Sequence, residues 1–124
     1  MTTIHANTPR DALKRLEQMV GMAGTSMTNE SIRSQIASAI TLVIQLQRLP
    51  DGKRRVTSVS EITGMDGDVI QVQEIFHFIK ESTDDNGNIH GSFRATGTRP
   101  LFLAELRAYG IELPDSHFDP TAVL

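Results

Sequence analysis

Apolar residues recur along the first forty positions at the spacing of a helix. Ala12, Leu13, Leu16, Met19, Val20 and Ala23 return every three or four residues, with Lys14, Arg15, Glu17 and Gln18 between them, which predicts an amphipathic helix. Asn7 and Thr8 supply capping acceptors at its start, and Pro9, with a preset φ and no N–H, suits the first turn. Asp11 then sits against the positive end of the helix dipole. Gly21 to Gly24 ends the helix, and Thr25 to Thr28 reads as a turn into a second one capped by Thr28, with Ile32, Ile36, Ala39 and Ile40 on one face. The pair is predicted to form a hairpin. Upstream, the β-branched run Thr2 to Ile4 favours extended backbone, so the chain should open as strand, loop, helix.

From Thr41 to Leu49 the period shortens towards two. Leu42, Ile44 and Leu46 alternate with Val43, Gln45 and Gln47, the pattern of a half-buried strand. Pro50-Asp51-Gly52-Lys53 makes a turn, Arg54 to Thr63 a return strand, and Asp66-Gly67 a tight hairpin into Val69 to Phe78. Asp84 to Asn88 is a polar loop and the best candidate for local mobility, followed by a weaker strand over Ile89 to Ala95. A last helix is expected to start at Thr98 to Pro100, to carry Phe102, Leu103, Leu106 and Tyr109 on one face, and to end on Gly110. Residues 1–113 form one unit and 114–124 a tail. The expected class is mixed α/β: two N-terminal helices, an antiparallel β-meander and a C-terminal helix.

Composition narrows the functions. With 124 residues and 39% hydrophobic content the chain can build one core. Twelve basic against 15 acidic residues give a formal charge of −3, which leaves no electrostatic footprint for nucleic acid or an anionic membrane. The absence of cysteine rules out a disulfide, a thiolate zinc site and a cysteine nucleophile. No apolar run approaches the ~18 residues of a spanning helix, and no signal peptide is recognisable, so membrane insertion is not expected and a cytoplasmic location is.

Several candidate chemistries fail on spacing. Gly52-Lys53 lacks both the first glycine and the terminal hydroxyl of a P-loop. Asp84, Asn86 and Asn88 imitate the start of a calcium loop, but Ile89 stands where its glycine belongs and Ala95 where its bidentate Glu belongs. His77, His90 and His117 have no metal-ligand spacing, and no serine sits in a nucleophile elbow. His5 is different. It stands at the join of an extended run and a helix start, where a side chain can meet a terminal phosphate, although the pattern equally fits a loop histidine with a local bond. Asn7 and Arg10 share that stretch; Asn7 is also a plausible residue for the start of a helix, and Arg10 a solvated first-turn cation.

The stretch Ile4-His5-Ala6-Asn7-Thr8-Pro9-Arg10-Asp11-Ala12-Leu13, with Arg15-Leu16-Glu17, resembles the histidine box of secretion ATPases of the type II/IV superfamily, specifically the CpaF-type ATPases of tight-adherence pilus systems. The likeness continues through Arg33-x-Gln35-Ile36-Ala37-Ser38-Ala39-Ile40, Gly52-x-Arg54-Arg55-Val56-Thr57-Ser58, Glu61-x-x-Gly64-Met65-x-Gly67-Asp68, Gln73-x-Ile75-Phe76, Gly97-x-Arg99-Pro100 and Gly110-Ile111-Glu112-Leu113-Pro114.

The resemblance implies the distal half of a RecA-like ATPase domain from a hexameric motor that assembles pili or secretes protein. His5 would be its phosphate sensor, Asn7 would fix the nucleotide-side loop, Arg10 would reach a phosphate or a neighbouring subunit, and Arg54 and Arg55 would serve an interface, a solvated strand end fitting that pair equally well. ATP and Mg would be its cofactors in the complete protein, with ATPase subunits and an inner-membrane pilus or secretion platform as partners. The family's P-loop, acidic box and Walker B carboxylates lie upstream of the box, so the resemblance also implies a fragment, with Met1 at a place where relatives carry an internal methionine. A truncated gene, a misplaced start and an expression fragment fit equally. Alone, such a chain should be inactive and serve as a non-catalytic oligomerisation or interaction module. Its two helices, deprived of parallel strands, are expected to leave apolar faces open for self-association.

Overall fold

The structure, a computed structural model, describes residues 1–24 and 26–122. Thr25 of the predicted turn, and Val123 and Leu124 of the predicted tail, lie outside the described residues. Among the described residues the fold is mixed α/β, with three α-helices and one four-stranded antiparallel sheet.

Helix α1 spans Pro9–Met22 and α2 spans Asn29–Ala39. Each is capped as expected: the hydroxyl of Thr8 accepts from the amide of Asp11 at 3.0 Å, and that of Thr28 from the amide of Ser31 at 3.1 Å. Gly24, at φ +78°, turns the chain after α1. Residues 1–6 form no strand. The β-branched residues there bias the backbone to extension, but a strand exists only where a neighbour completes its ladder.

The sheet is a meander in the order β1 (Leu42–Arg48), β2 (Arg54–Asp66), β3 (Val69–Thr83) and β4 (Ile89–Ala95). Gly52 and Gly67, at φ +81° and +61°, close the first two hairpins. Two bulges fall between β2 and β3. At one, Val59 pairs with Phe76 and Ser60 with Glu74, so Ile75 is the extra residue and can share a face with Phe76.

That switch separates two cores. On one face Leu13, Ile32 and Ile36 of the helices bury against Ile62 and Ile70, with Val43, Met65 and Val72 around them. On the other, Ile75 and Phe76 meet Leu103, Phe102, Leu106 and Phe118. The antiparallel meander covers Leu13, Ile32 and Ile36 of these helices, while Met19 of the α1 stripe and Met22 after it remain exposed. Apolar surface is also open on β1. Leu42, Ile44 and Leu46, expected on its buried side, point to solvent, while Val43 and Gln45 face the helices. Gln45 takes the inner position by donating from Nε2 to the carbonyl of Ala6 at 2.9 Å.

Helix α3 is shorter than expected, Leu103–Ala108, and its start is made by tertiary structure. The carboxylate of Glu61, buried on β2, accepts from the amides of Leu101 and Phe102, both at 2.8 Å. Gly110, at φ +76°, ends the turn as predicted, but Tyr109 is 84% exposed and takes no part in the core. Beyond Pro114, a 3₁₀ turn at Asp115–Phe118 inserts Phe118 beside Phe76, ring centres 5.8 Å apart, and Arg99 pairs with Asp115.

Candidate functional site

The loop entering α1 borders an open groove of about 640 Å³ on the helix-bearing face of the sheet. Asn7, Thr8 and Pro9 form one bank. Gln45, Ser58, Glu74 and His77 form the floor and the other bank, with Phe78 and Lys80 at one end. The bulge at Ile75 sets this up, because it turns Glu74 and His77 to the same side, opposite Ser60 and Ser58 on β2.

The polar groups are joined. Ser58 Oγ donates to Glu74 Oε2 at 3.0 Å, Ser58 and Ser60 share a hydroxyl bond at 3.2 Å, and His77 Nδ1 lies 3.1 Å from Glu74 Oε1. An Nδ1–H donating to the carboxylate leaves Nε2 as the ring's acceptor nitrogen. Glu74 stands between serine and histidine, so the hydroxyl proton goes to the carboxylate and not to the imidazole. That is not the relay that activates a serine nucleophile. The groove offers a carboxylate, an imidazole and amide groups for recognition rather than a reaction centre.

The three residues of the histidine box do not form one cluster. Asn7 lines the groove. His5 is exposed on the segment before it, and its carbonyl accepts from Arg15 Nη1 at 3.0 Å. Arg10 points the other way: its Nη1 donates to the carbonyl of Ile70 at 3.2 Å, and it borders a second cavity of about 210 Å³ with Leu13, Glu17, Arg33 and Asp68.

Three polar residues to which the sequence assigned no role organise the surroundings. Arg33 donates to Glu17 on α1 at 3.0 Å and to both the carbonyl and the carboxylate of Asp68, at 3.0 and 3.2 Å, tying both helices to the β2–β3 turn. Its guanidinium pKa is raised, mainly by the hydrogen bond to Glu17. Asp51, in the first hairpin turn, receives Arg55 through both carboxylate oxygens at 3.0 and 2.8 Å and accepts from the amide of Ile89 at 3.1 Å. The Arg55 bonds, helped by the backbone amides, hold the Asp51 carboxyl far below the usual carboxylate range. Arg55 also lies 5.5 Å from the centre of the Phe78 ring, so it is held within the fold rather than offered to a partner. Asp84 accepts from the amides of Asn86 and Asn88 and from His90 Nε2, the last at 3.0 Å. The bond from His90 leads in pulling its pKa down to about 2. The polar loop expected to be mobile is thus knitted by one carboxylate, whose oxygens face its own backbone.

No helix among the described residues is long and apolar enough to cross a membrane. No protein-family profile matches the chain. Two Mycobacterium tuberculosis proteins described as putative conjugal transfer proteins, from strains CDC 1551 and H37Rv, are each 26% identical to it over 93 residues, 75% of this chain and 26% of theirs. The conjugal transfer protein TrbB of Rhizobium radiobacter is 39% identical over 64 residues, 52% of this chain and 18% of its own. All three relatives are named as conjugal transfer proteins, the two from Mycobacterium tuberculosis as putative ones. The chain spans about a quarter of the length of the first two.

Proposed function

We propose that this chain is the C-terminal part of a type IV secretion-related ATPase, the distal portion of a RecA-like domain belonging to a hexameric motor for pilus assembly or protein secretion of the CpaF type. The observation that carries the reading is the 93-residue likeness to conjugal transfer proteins, which covers three quarters of the chain. In that reading residues 1–113 belong to the motor domain and 114–124 to its tail, the protein works in the cytoplasm against an inner-membrane platform, and ATP with Mg is bound by the complete motor. His5, exposed ahead of the groove, is its phosphate sensor. Asn7 and Arg10 flank α1's start, Arg10 positioning the helix through Ile70 and presenting its remaining donors outward.

A second reading is favoured by the groove itself. The central carboxylate of Glu74, already bonded to Ser58 and His77, disfavours a phosphate and suits a polar or cationic segment of another protein. On this view the chain acts as a non-catalytic interaction module. Calorimetry with Mg-ATP and a phosphate-release assay on the purified chain test what both readings require of it. Neither binding at micromolar concentration nor turnover is expected from these residues alone, and turnover would show that the site has been misassigned. Sequencing the DNA upstream of Met1 tests the motor reading. An in-frame P-loop supports it, and its absence leaves the interaction module.

A further inference from the structure

The loop between β3 and β4 holds the chain's one Asn-Gly pair. Asn7 precedes Thr8, Asn29 precedes Glu30 and Asn88 precedes Ile89, whereas Asn86 precedes Gly87, which puts no side chain in the way of its own backbone nitrogen. Asn86 is exposed. Of its donors, only the backbone N–H is engaged among the described residues, giving to Asp84 Oδ1 at 3.0 Å. The bonds around it are those of a three-residue hairpin loop closed by a left-handed glycine: Gly87, at φ +82°, donates its N–H to the Asp84 carbonyl at 3.0 Å, and the amide of Asp84 donates to the carbonyl of Asn88 at 2.9 Å. The Asp84 carboxylate tightens the loop further by accepting from the amide of Asn88 at 2.9 Å.

We propose that Asn86 is a site of spontaneous deamidation, gated by the turn that Asp84 ties. The Gly87 nitrogen loses its proton and attacks Asn86 Cγ, so that a new C–N bond forms while the bond from Cγ to Nδ2 breaks. Nδ2 takes up a proton and leaves as ammonia. Water then opens the cyclic imide at either carbonyl, giving aspartate or isoaspartate, the latter with the main chain running through the former side chain. The turn holds this reaction back, because the attacking nitrogen is engaged on the Asp84 carbonyl and cannot give up its proton until that bond opens. Conversion in turn damages the loop. It places a third carboxylate beside Asp84 and Asp85, and isoaspartate lengthens a backbone whose register is fixed at both ends of the loop. The damage is expected to stop at Ile89, whose amide is held from outside the loop by Asp51 at 3.1 Å. The chemistry is independent of the secretion reading, since it uses only the chain's own loop and water.

Peptide mapping of the purified chain, held in mildly alkaline buffer and sampled over time, reads the amide-to-acid mass change at each asparagine, and labelling by an isoaspartyl methyltransferase identifies the isomer. Asn86 should convert first, and should convert faster in guanidinium chloride than in the folded chain. Asp84→Ala removes the carboxylate but leaves the Asn86-Gly87 pair, and should speed conversion in the folded chain about tenfold, the change in loop opening expected from losing bonds to a charged acceptor. Asn29, at the start of α2, is the internal control and should keep its slow rate. A far-ultraviolet spectrum matching the parent shows that the variant folds; if it does not fold, the parent in buffer and in denaturant decides the gate. Conversion at Asn7, Asn29 or Asn88 as fast as at Asn86 would overturn the site. An equal rate for the parent in buffer and in denaturant, or a folded Asp84→Ala chain converting no faster than the parent, would overturn the gate.

Discussion

Glu61 and Phe102 stand 41 residues apart, yet the carboxylate of the first accepts the amide of the second at 2.8 Å, with Leu101 bound equally by the other oxygen. A strand residue thereby performs the work of a helix cap for a segment that carries no side-chain cap of its own. It also fixes α3 over Ile75, the centre of the second core. Glu61→Ala is expected to destabilise the fold by about 1–3 kcal/mol, the cost of leaving partly buried amides without an acceptor. Glu61→Gln, which keeps one acceptor and turns a donor towards the other amide, should lose less. Urea denaturation of the three proteins reads the order, and equal stability of all three would show that water caps the segment as well.

Asp51 and Arg55 connect the first hairpin turn to the beginning of β4, since Asp51 accepts from the amide of Ile89 and Arg55 donates to its carbonyl at 3.2 Å. Arg55→Lys keeps the charge but loses the two-point bond to the carboxylate. Amide exchange should accelerate at Ile89 in this variant while the α1–α2 region keeps its protection. Uniform acceleration across the chain would mean that the pair holds up the whole fold, not one corner.

The same carboxylates set the acid limit. Asp51 lies far below the usual range and Asp84 is pulled down to about 2, from an unfolded value of 3.8. The native chain therefore binds fewer protons than the unfolded one in this region. Their contribution is complete above about pH 4 and is lost as pH falls towards 2 and below. Thermal melting between pH 5 and 2 should show the midpoint falling with pH, and Asp84→Asn should flatten part of that slope. A slope unchanged by the substitution would assign the acid sensitivity to other groups.

Gly91 is required for a different reason from the turn glycines. A Cβ built there would come within 2.3 Å of the Ile79 carbonyl and 2.6 Å of the Phe78 ring. The carbonyl is backbone and cannot step aside without opening the β3–β4 ladder. Gly91→Ala should cost about 3 kcal/mol, at the upper end for overpacking. Gly21→Ala, on α1 with open space around the new methyl group, should instead be neutral or stabilising. Chemical denaturation of both variants gives the comparison, and an equal response would contradict the close approach at Gly91.

Local chemistry was legible wherever one or two neighbouring residues decide the backbone. Thr8 and Thr28 as caps, Gly52 and Gly67 in hairpins, and Gly110 after the last helix all stand where sequence places them. The pattern of β1 misleads because Leu42, Ile44 and Leu46 look like an inner face, whereas Gln45 earns the inner position through a bond to Ala6 that no periodicity reveals. Glu61 reads as one more polar strand residue for the same reason: its partners lie forty positions away. At the candidate site, Asn7 could be singled out from its stretch, but Glu74 and His77 could not. They face one groove only because a bulge at Ile75 shifts the strand's alternation.

His5 provides the last test, in the complete motor of which this chain is proposed to be a part. The side chain is exposed on the segment before α1, while the following residues are fixed by the Thr8 cap and by Gln45 on Ala6. A histidine so placed can change partners without dismantling the fold, and a group that contacts mainly the phosphate altered by hydrolysis contributes to turnover more than to binding. His5→Ala should therefore lower ATP turnover by tenfold or more, about 1.4 kcal/mol of barrier, with nucleotide affinity nearly unchanged. Asn7→Ala, which alters a groove-lining side chain, serves as the comparison. Single-turnover hydrolysis and equilibrium nucleotide titration, run on the same preparations, measure the two quantities separately. If affinity falls in step with the rate, or turnover is unaffected, His5 is a loop residue with a local role, and the sensor assignment is lost.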